Sequence, residues 1–392
     1  MNRALRVFQV NSAFNNDAPA QGAAALARYL NSKEFHATAV SLRHQPESDF
    51  TTVADLQHSG IKHISLGMGG FGDVRVLPRL VRLMRAYRPD IVHTHAFRAD
   101  LWTGIAAKLA RVPVFVSSIR GNEWDLFRAD HPFLVSQLAM IVSKFSTSLA
   151  DLLIAVSEGV REHLISVQGI SPARVRVVPN GVDLERLAQP RPHPLMVRQD
   201  LSMPLDAVLV GTLAVFKARK GLSYLVEAAR GVVTRYQQAH FLLAGEGPER
   251  NQIERKIMRF GLEKNMHLLG FRPDSIALLD ALDIYVLPSL FEGFPRSVLE
   301  AMALGKPVVA TDIGGSREAV LHDVSGLIVP PKDPQGLADA ICRLIESPSL
   351  RKSMGEVGRH RVQEHFNARV NAQAHEAIYR ELLQAKGYNY IQ

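Results

Sequence analysis

Cysteine is nearly missing from this chain of 392 residues: Cys342 is the only one, which excludes an internal disulfide and any cysteine-based metal cage and fits a reducing compartment. Long apolar runs are missing as well. No stretch reaches the ~18 to 20 apolar residues that a spanning helix needs, so the chain is not expected to cross a membrane. Met1 to Val10 is briefly apolar, but Gln9, Asn11, Asn15, Asn16 and Asp17 follow at once, so this segment reads as a first strand and not as a signal-peptide core. Low-complexity tracts are absent, which argues against long disorder. Also absent is a basic stretch interleaved with aromatics, or any recognisable reading motif, so no nucleic-acid partner is expected.

What is present is ordinary in bulk and ordered in pattern. Hydrophobic residues make up 47% and charged residues 21%, values typical of globular proteins. The length exceeds what one core organises, so two domains of roughly 150 to 200 residues, with a cleft between them, are expected. A net charge of +8 attracts anions such as nucleotide diphosphates or acidic headgroups without choosing among them.

Short β-branched runs alternate with stretches of helical period. Leu5 to Val10, Thr38 to Leu42, Asp90 to Thr94, Val112 to Ser117 and Leu152 to Val156 are the first set of strands. Val208 to Thr212, His240 to Ala244, Met266 to Gly270, Asp283 to Leu287 and Pro307 to Thr311 are the second. The alternation predicts parallel strands joined by right-handed crossovers. Residues 183–204 hold Pro190, Pro192, Pro194 and Pro204 and mark a linker. The expected fold is therefore α/β, two Rossmann-like domains facing a central cleft, with a helical C-terminal tail. The expected boundaries are 1–182 for an acceptor domain, 183–204 for the linker and 205–365 for a nucleotide-binding domain, with a helix over 366–392 returning to the first domain.

The most informative segment is Pro288 to Glu300, directly after the strand ending at Leu287. Gly293 permits unusual backbone angles and Pro295 suits the first turn of a helix, which puts Glu292 on a loop and Glu300 on that helix. Ligands of open α/β sheets gather at the carboxyl ends of strands, and free amides at a helix start attract anionic or hydroxyl-rich groups. Two carboxylates bracketing such a turn suit a nucleotide sugar, one accepting from sugar hydroxyls and the other from a ribose diol.

This segment resembles the Glu-x7-Glu signature of the family 4 retaining glycosyltransferases, which have the GT-B fold. Other words agree in order: His93-Thr94-His95, Ala155-Val156-Ser157, Pro179-Asn180-Gly181-Val182-Asp183, Gly245-Glu246-Gly247-Pro248, Gly270-Phe271-Arg272, Ala301-Met302-Ala303 and Gly314-Gly315-Ser316-Arg317-Glu318. The resemblance implies transfer of a hexose-type sugar from a nucleotide-diphosphate sugar to a lipid-linked or cell-surface glycan precursor, as in polysaccharide or lipopolysaccharide synthesis, with retention of configuration. It implies Glu292, Lys220 and Lys217 as catalytic. Around the donor it puts Gly22, Arg219, Gly245, Phe271, Arg272, Gly293, Phe294, Leu299 and Glu300. On the acceptor or transferred sugar it puts His95, Arg120 and Glu123. No cofactor and no metal are expected, and no Asp-x-Asp motif offers ligands for one.

Three positions depart from the family pattern. Val215 stands where an arginine is usual, so Lys217 or Arg219 must replace its charge, and Lys217 is the chosen substitute. Arg120 stands where a histidine is usual; a permanently charged guanidinium is no base but can clamp a phosphate. Gln21-Gly22 stands where a glycine pair is usual, leaving Gly22 to approach the diphosphate. These changes leave a catalytically inactive sugar-nucleotide-binding protein as an alternative.

A second alternative, a dinucleotide-dependent oxidoreductase, rests on Gly67-Met68-Gly69-Gly70-Phe71-Gly72 after a possible strand Ile61 to Leu66, with Asp90 beyond it. That fingerprint belongs after the first strand, with its acid ending the second, whereas Asp90 begins a strand. His93 and His95 share a strand face, a spacing that can hold metal, but no third ligand is evident. Residues 74–88 carry Arg75, Arg79, Arg82, Arg85 and Arg88 without one acid, while Val74, Leu77, Leu80, Val81 and Met84 recur at helical spacing. This basic amphipathic pattern fits either a packed helix with a solvated face or peripheral contact of a cytoplasmic enzyme with the inner face of an anionic membrane.

Overall fold

The computed structural model describes residues 3–15, 17–43, 51–70, 72–95, 97–121, 133–204 and 206–388. The chain divides into two compact units, Met1–Gly181 with Ala368–Gln392, and Val182–Asn367.

The first unit is built on seven parallel strands, β1 (Leu5–Asn11), β2 (Phe35–Arg43), β3 (Lys62–Met68), β4 (Ile91–Thr94), β5 (Val114–Ile119), β6 (Leu152–Ala155) and β7 (Val175–Val177), in the order β3-β2-β1-β4-β5-β6-β7. In register, Val7 of β1 lies opposite Ala37 of β2 and Ile91 of β4, and all three side chains are buried. Crossover helices cover both faces, so these strands read as nearly continuous apolar runs. The helix Ala18–Tyr29 starts where Asp17 accepts from the amide of Ala20 at 2.8 Å. Its alanine-rich face packs beside the last helix, Ala368–Ala385, whose Ala372, Tyr379 and Leu383 join this unit's core. Where a helix was expected over 366–392, the helix Ala368–Ala385 belongs to the first unit, while residues 366 and 367 belong to the second.

The second unit carries six parallel strands, β8 (Val208–Leu213), β9 (Ala239–Ala244), β10 (Met266–Gly270), β11 (Ile284–Leu287), β12 (Val308–Thr311) and β13 (Gly326–Val329), in the order β10-β9-β8-β11-β12-β13. Helices Pro334–Glu346 and Pro348–His365 close it. Both sheets reverse their strand order beside the first strand of the set, between β1 and β4 and between β8 and β11. In such sheets a crevice opens at that reversal, outside the carboxyl ends of the strands.

Two strands, β7 and β13 of 3 and 4 residues, were not in the expected set. β3 falls on the possible strand Ile61 to Leu66 and is an edge strand of mixed polarity. The expected linker over 183–204 instead belongs to the second unit. It forms helices Leu184–Leu187 and Pro194–Asp200, and two arginines fasten it. Arg191 donates to Asp280 at 2.9 Å, and Arg198 donates to Asp283 at 2.7 Å and to the carbonyls of Ala281 and Ala207. The glycine fingerprint falls at the end of β3, the edge strand. Asp90 is engaged by Arg3 at 2.8 and 2.7 Å and by the amide of Arg6 at 2.8 Å, so its carboxylate serves an internal ion pair.

Candidate functional site

In the second unit the segments after β8 and β11, the two strands flanking the reversal, are knitted together. After β8 the chain makes a single 3-10 turn, Ala218–Lys220, and enters the helix Leu222–Arg235 through Gly221 in the left-handed region at φ +63°. A side chain at Gly221 would put its Cβ 2.0 Å from the carbonyl oxygen of Pro288, so only glycine allows the two segments to lie this close. The amide of Leu290 then donates to the carbonyl of Arg219 at 2.7 Å, and the amide of Gly315 to the carbonyl of Gly293 at 3.1 Å.

This knitting delivers Glu292 to two cations. The Lys220 ammonium donates to Oε1 of Glu292, Ser289 donates to the same oxygen at 2.8 Å, and a guanidinium nitrogen of Arg219 stands 3.9 Å from Oε2. Lys220 and Glu292 are both largely buried. Glu300 lies on the helix Arg296–Ala303, with the buried Arg296 guanidinium 3.7 Å away. The residue at the start of that helix is Pro295, which makes no side-chain cap.

In the first unit the end of β4 meets the residue after β5. Arg120 donates from Nη1 to Oδ1 of Asn180 and from Nη2 to Nδ1 of His95, both at 2.8 Å. A guanidinium has no acceptor, so Nδ1 of His95 carries the lone pair and Nε2 the proton, which His95 donates to Oε1 of Gln9 at 2.6 Å. The Gln9 amide nitrogen then donates to the Tyr379 hydroxyl at 3.2 Å, and that hydroxyl and Nδ1 of His93 share a hydrogen bond at 2.6 Å. Nε2 of His93 shares another with the Ser118 hydroxyl at 2.8 Å. His375 packs its ring 5.4 Å from that of His93 and donates to the carbonyl of Asn371 at 2.7 Å. Burial holds all three imidazoles neutral, with the positive charge of Arg120 adding to the effect: His93 and His95 are pushed well below the ordinary value, and His375 to about 4. Ser118, Arg120, Asn180, Asn371, His375 and Gly22 surround a cavity of about 10 Å³, room for one water.

Two family models cover most of the chain in succession, Glycosyltransferase Family 4 over residues 20–186 and Glycosyl transferases group 1 over residues 197–361. The lipopolysaccharide core biosynthesis glycosyltransferase LpsD of Rhizobium meliloti is 30% identical over 300 residues, 76% of this chain and 77% of that protein. The chain belongs to the family 4 glycosyltransferases. An Escherichia coli UDP-Gal:alpha-D-GlcNAc-diphosphoundecaprenol alpha-1,3-galactosyltransferase is 28% identical over 299 residues, 75% of this chain and 76% of that protein. Among solved structures, Anabaena HepE in complex with UDP and glucose superposes with a TM-score of 0.81 over 96% of this chain and 100% of that one, at 23% identity. The fold is GT-B.

Within this glycosyltransferase the structure sorts the residues expected from sequence. Lys220, Arg219, Glu292, Gly293 and Glu300 gather at the β8–β11 reversal. Lys217 does not join them. It caps the 3-10 turn through its backbone, accepting from the amide of Lys220 at 2.8 Å, and its side chain is exposed; the turn directs Arg219 toward Glu292 instead. Leu299 is buried in the core and Phe294 is buried against Phe366, with ring centroids 5.2 Å apart, so only their backbone groups are offered. Gly245, at φ +136°, brings the segment after β9 against the carbonyl of Ala214. Phe271 is 72% exposed, and Arg272 is paired with Asp274 at 2.7 Å; no hydrogen bond or ion pair joins either to Glu292 among the described residues.

Gly22 lies within the helix Ala18–Tyr29 and not on a loop, because Asp17 starts the helix before it. What approaches its α-carbon is the Arg120 guanidinium. Glu123 lies outside the described residues. Ser289, Arg296, Gln9, Asn180, His375 and Tyr379 were not among the site residues expected from sequence, although Asn180 lies in the Pro179–Asp183 word. The first two sit within three or four residues of a glutamate already singled out, which was the available signal.

Proposed function

We propose that this glycosyltransferase moves a hexose-type sugar from a nucleoside-diphosphate sugar to a lipid-linked or saccharide acceptor, with retention of configuration and without a metal. The observation that carries the reading is the Glu292–Lys220 pair, flanked by Arg219, at the strand reversal of the second unit. HepE binds UDP and glucose, and the E. coli relative acts on a diphosphoundecaprenol-linked sugar; both support a nucleotide donor and an acceptor of that kind.

The leaving diphosphate gains negative charge as the glycosidic bond breaks, and two preorganised cations in a largely buried site stabilise that charge more than they stabilise the ground state. Glu292, an acceptor-only carboxylate held by Lys220 and Ser289, receives hydrogen bonds from hydroxyls of the transferred sugar. Glu300, steadied by Arg296, receives them from the ribose. In the transfer the bond from the anomeric carbon to the phosphate oxygen breaks and the bond to the acceptor oxygen forms on the same face. The acceptor proton passes to the departing phosphate oxygen, so no protein base is required. Arg120, held in place by Asn180 and by the buried His95, serves the acceptor or transferred sugar, and His95 acts only as its support.

Calorimetry of the full chain with UDP, GDP and ADP tests the donor reading and identifies the base. NMR of the product anomer tests retention. Failure to bind any of the three nucleotides removes the donor assignment, and nucleotide binding without transfer to any acceptor leaves a sugar-nucleotide-binding protein.

A further inference from the structure

The helix Val76–Tyr87 spends its apolar stripe on its own unit: Val76, Leu80 and Met84 are buried, leaving an arginine face outside. Unspent apolar surface lies two helices away. Helices Val76–Tyr87, Phe97–Ala110 and Phe133–Leu149 pack side by side in that order. On the third, Leu134 is 79% exposed, Ile141 64% and Phe145 51%. Spaced seven and then four residues apart, they stand on one line along the helix. On the middle helix Leu109 is 53% exposed, and Arg85 of the first helix donates to its carbonyl at 3.3 Å, joining the arginine face to the apolar one.

Charge decides what such a surface fits. Asp100 is the only acid in the three helices, and it is buried. Arg79, Arg82, Arg85, Lys108 and Lys144 are all exposed. A second copy of this face would bring cations against cations, whereas an anionic leaflet offers phosphates to the basic residues and acyl chains to the apolar line.

We infer that the helix Phe133–Leu149 is a membrane wedge, seating Leu134, Ile141 and Phe145 below the headgroups of an anionic lipid surface while Arg79, Arg82, Arg85, Lys108 and Lys144 hold the phosphates. The inference deepens the lipid-linked acceptor reading of the preceding section and rests on it for its biological purpose. The vesicle binding itself does not depend on catalysis. Because part of the attachment is apolar, it survives salt that would release a purely electrostatic contact.

The test is sedimentation of the full chain with phosphatidylcholine vesicles, with and without phosphatidylglycerol, at low and high salt. The expected result is binding to the anionic vesicles that persists in part at high salt. The combined Leu134→Gln, Ile141→Gln and Phe145→Gln variant, altered only at exposed positions, should lower the partition about a hundredfold, since each side chain gives up part of its apolar transfer. An environment-sensitive thiol dye on Ile141→Cys, with Cys342 buried and protected, should shift to the blue on the same vesicles. Equal partition of parent and triple variant, an unmoved dye, no binding to either vesicle, or concentration-dependent dimerisation lost in the triple variant would each overturn the wedge. Transfer to a water-soluble acceptor separates the two readings. If the triple variant retains it while losing vesicles, both stand. If the parent binds vesicles yet transfers to no acceptor, the catalytic reading fails alone.

Discussion

Arg120 donates to Nδ1 of His95 at 2.8 Å, and because arginine cannot accept, this one contact sets the direction of the hydrogen bonds from His95 to Gln9 and from Gln9 to the Tyr379 hydroxyl, which also contacts His93. The same charge opposes protonation of His93, His95 and His375. Replacing Arg120→Met removes that opposition and takes the donor from a buried acceptor, Nδ1 of His95. All three imidazoles should then titrate higher by NMR, with a loss of about 1–3 kcal/mol in urea unfolding. Unmoved imidazoles would show that burial alone sets them.

Those imidazoles also set how stability follows pH. An unfolded His375 takes a proton near 6.5, while the folded one resists until about 4, chiefly through burial. Its contribution is therefore fully present above about 6.5 and is lost as pH falls through 4, about 3 kcal/mol in all, with His93 and His95 acting in the same sense. Asp100 opposes them. Burial lifts its carboxyl to about 7 from 3.8, so its contribution is present below 3.8 and lost as pH rises through 7. Three imidazoles outweigh one carboxyl between these limits, so the urea midpoint should climb with pH across the window. Asp100→Asn should steepen that climb, and a climb made shallower by this variant would contradict the assignment.

The chemistry predicted for the second unit separates its two glutamates. Glu292→Gln keeps the shape but loses the carboxylate that Lys220 and Ser289 hold, so kcat should fall at least tenfold with nucleotide affinity little changed. Glu300→Gln loses a charged hydrogen bond to the ribose, worth ~1.5–3 kcal/mol, so the Kd for the nucleotide should rise roughly ten- to a hundredfold. Steady-state kinetics with calorimetry distinguishes them, and an unaltered kcat in Glu292→Gln would remove that residue from the reaction.

Much of this was legible in sequence where function and local structure share one short segment. Glu292, Gly293 and Glu300 sit in a strand–loop–helix unit whose meaning the spacing carries, and Lys220-Gly221 opens another. The choice between Lys217 and Arg219 was not legible, because it depends on which way a single 3-10 turn points each side chain. The hydrogen-bond network around His95 was harder still. Gln9 and Tyr379 are 370 residues apart in the chain and meet only because the last helix packs beneath the first sheet, an arrangement no local period encodes. The Pro-rich stretch 183–204 looked unstructured because its order comes from Arg191 and Arg198 reaching aspartates 89 and 85 residues on, and such long-range ion pairs leave no local mark.

Gly221 offers the sharpest check on how the Lys220–Glu292 pair is assembled. At φ +63° any side chain is strained, and here a Cβ would also lie 2.0 Å from the carbonyl oxygen of Pro288, backbone that cannot swing aside as a flexible side chain would. Relief requires the segment after β8 to move away from the segment after β11, which breaks the Leu290 to Arg219 hydrogen bond and draws Lys220 off Glu292. Gly221→Ala should therefore lose more than the ~1 kcal/mol expected from left-handed strain alone, and nucleotide affinity should fall with it. Gly261→Ala is the control: Gly261 has nearly the same φ, +66°, but nothing within 4 Å of the added carbon, so it should show the strain and leave nucleotide binding intact. Urea unfolding and calorimetry on the two variants read both quantities. Equal losses of stability and unchanged affinity in both would mean that the close approach of Gly221 to Pro288 does not hold the lysine in place.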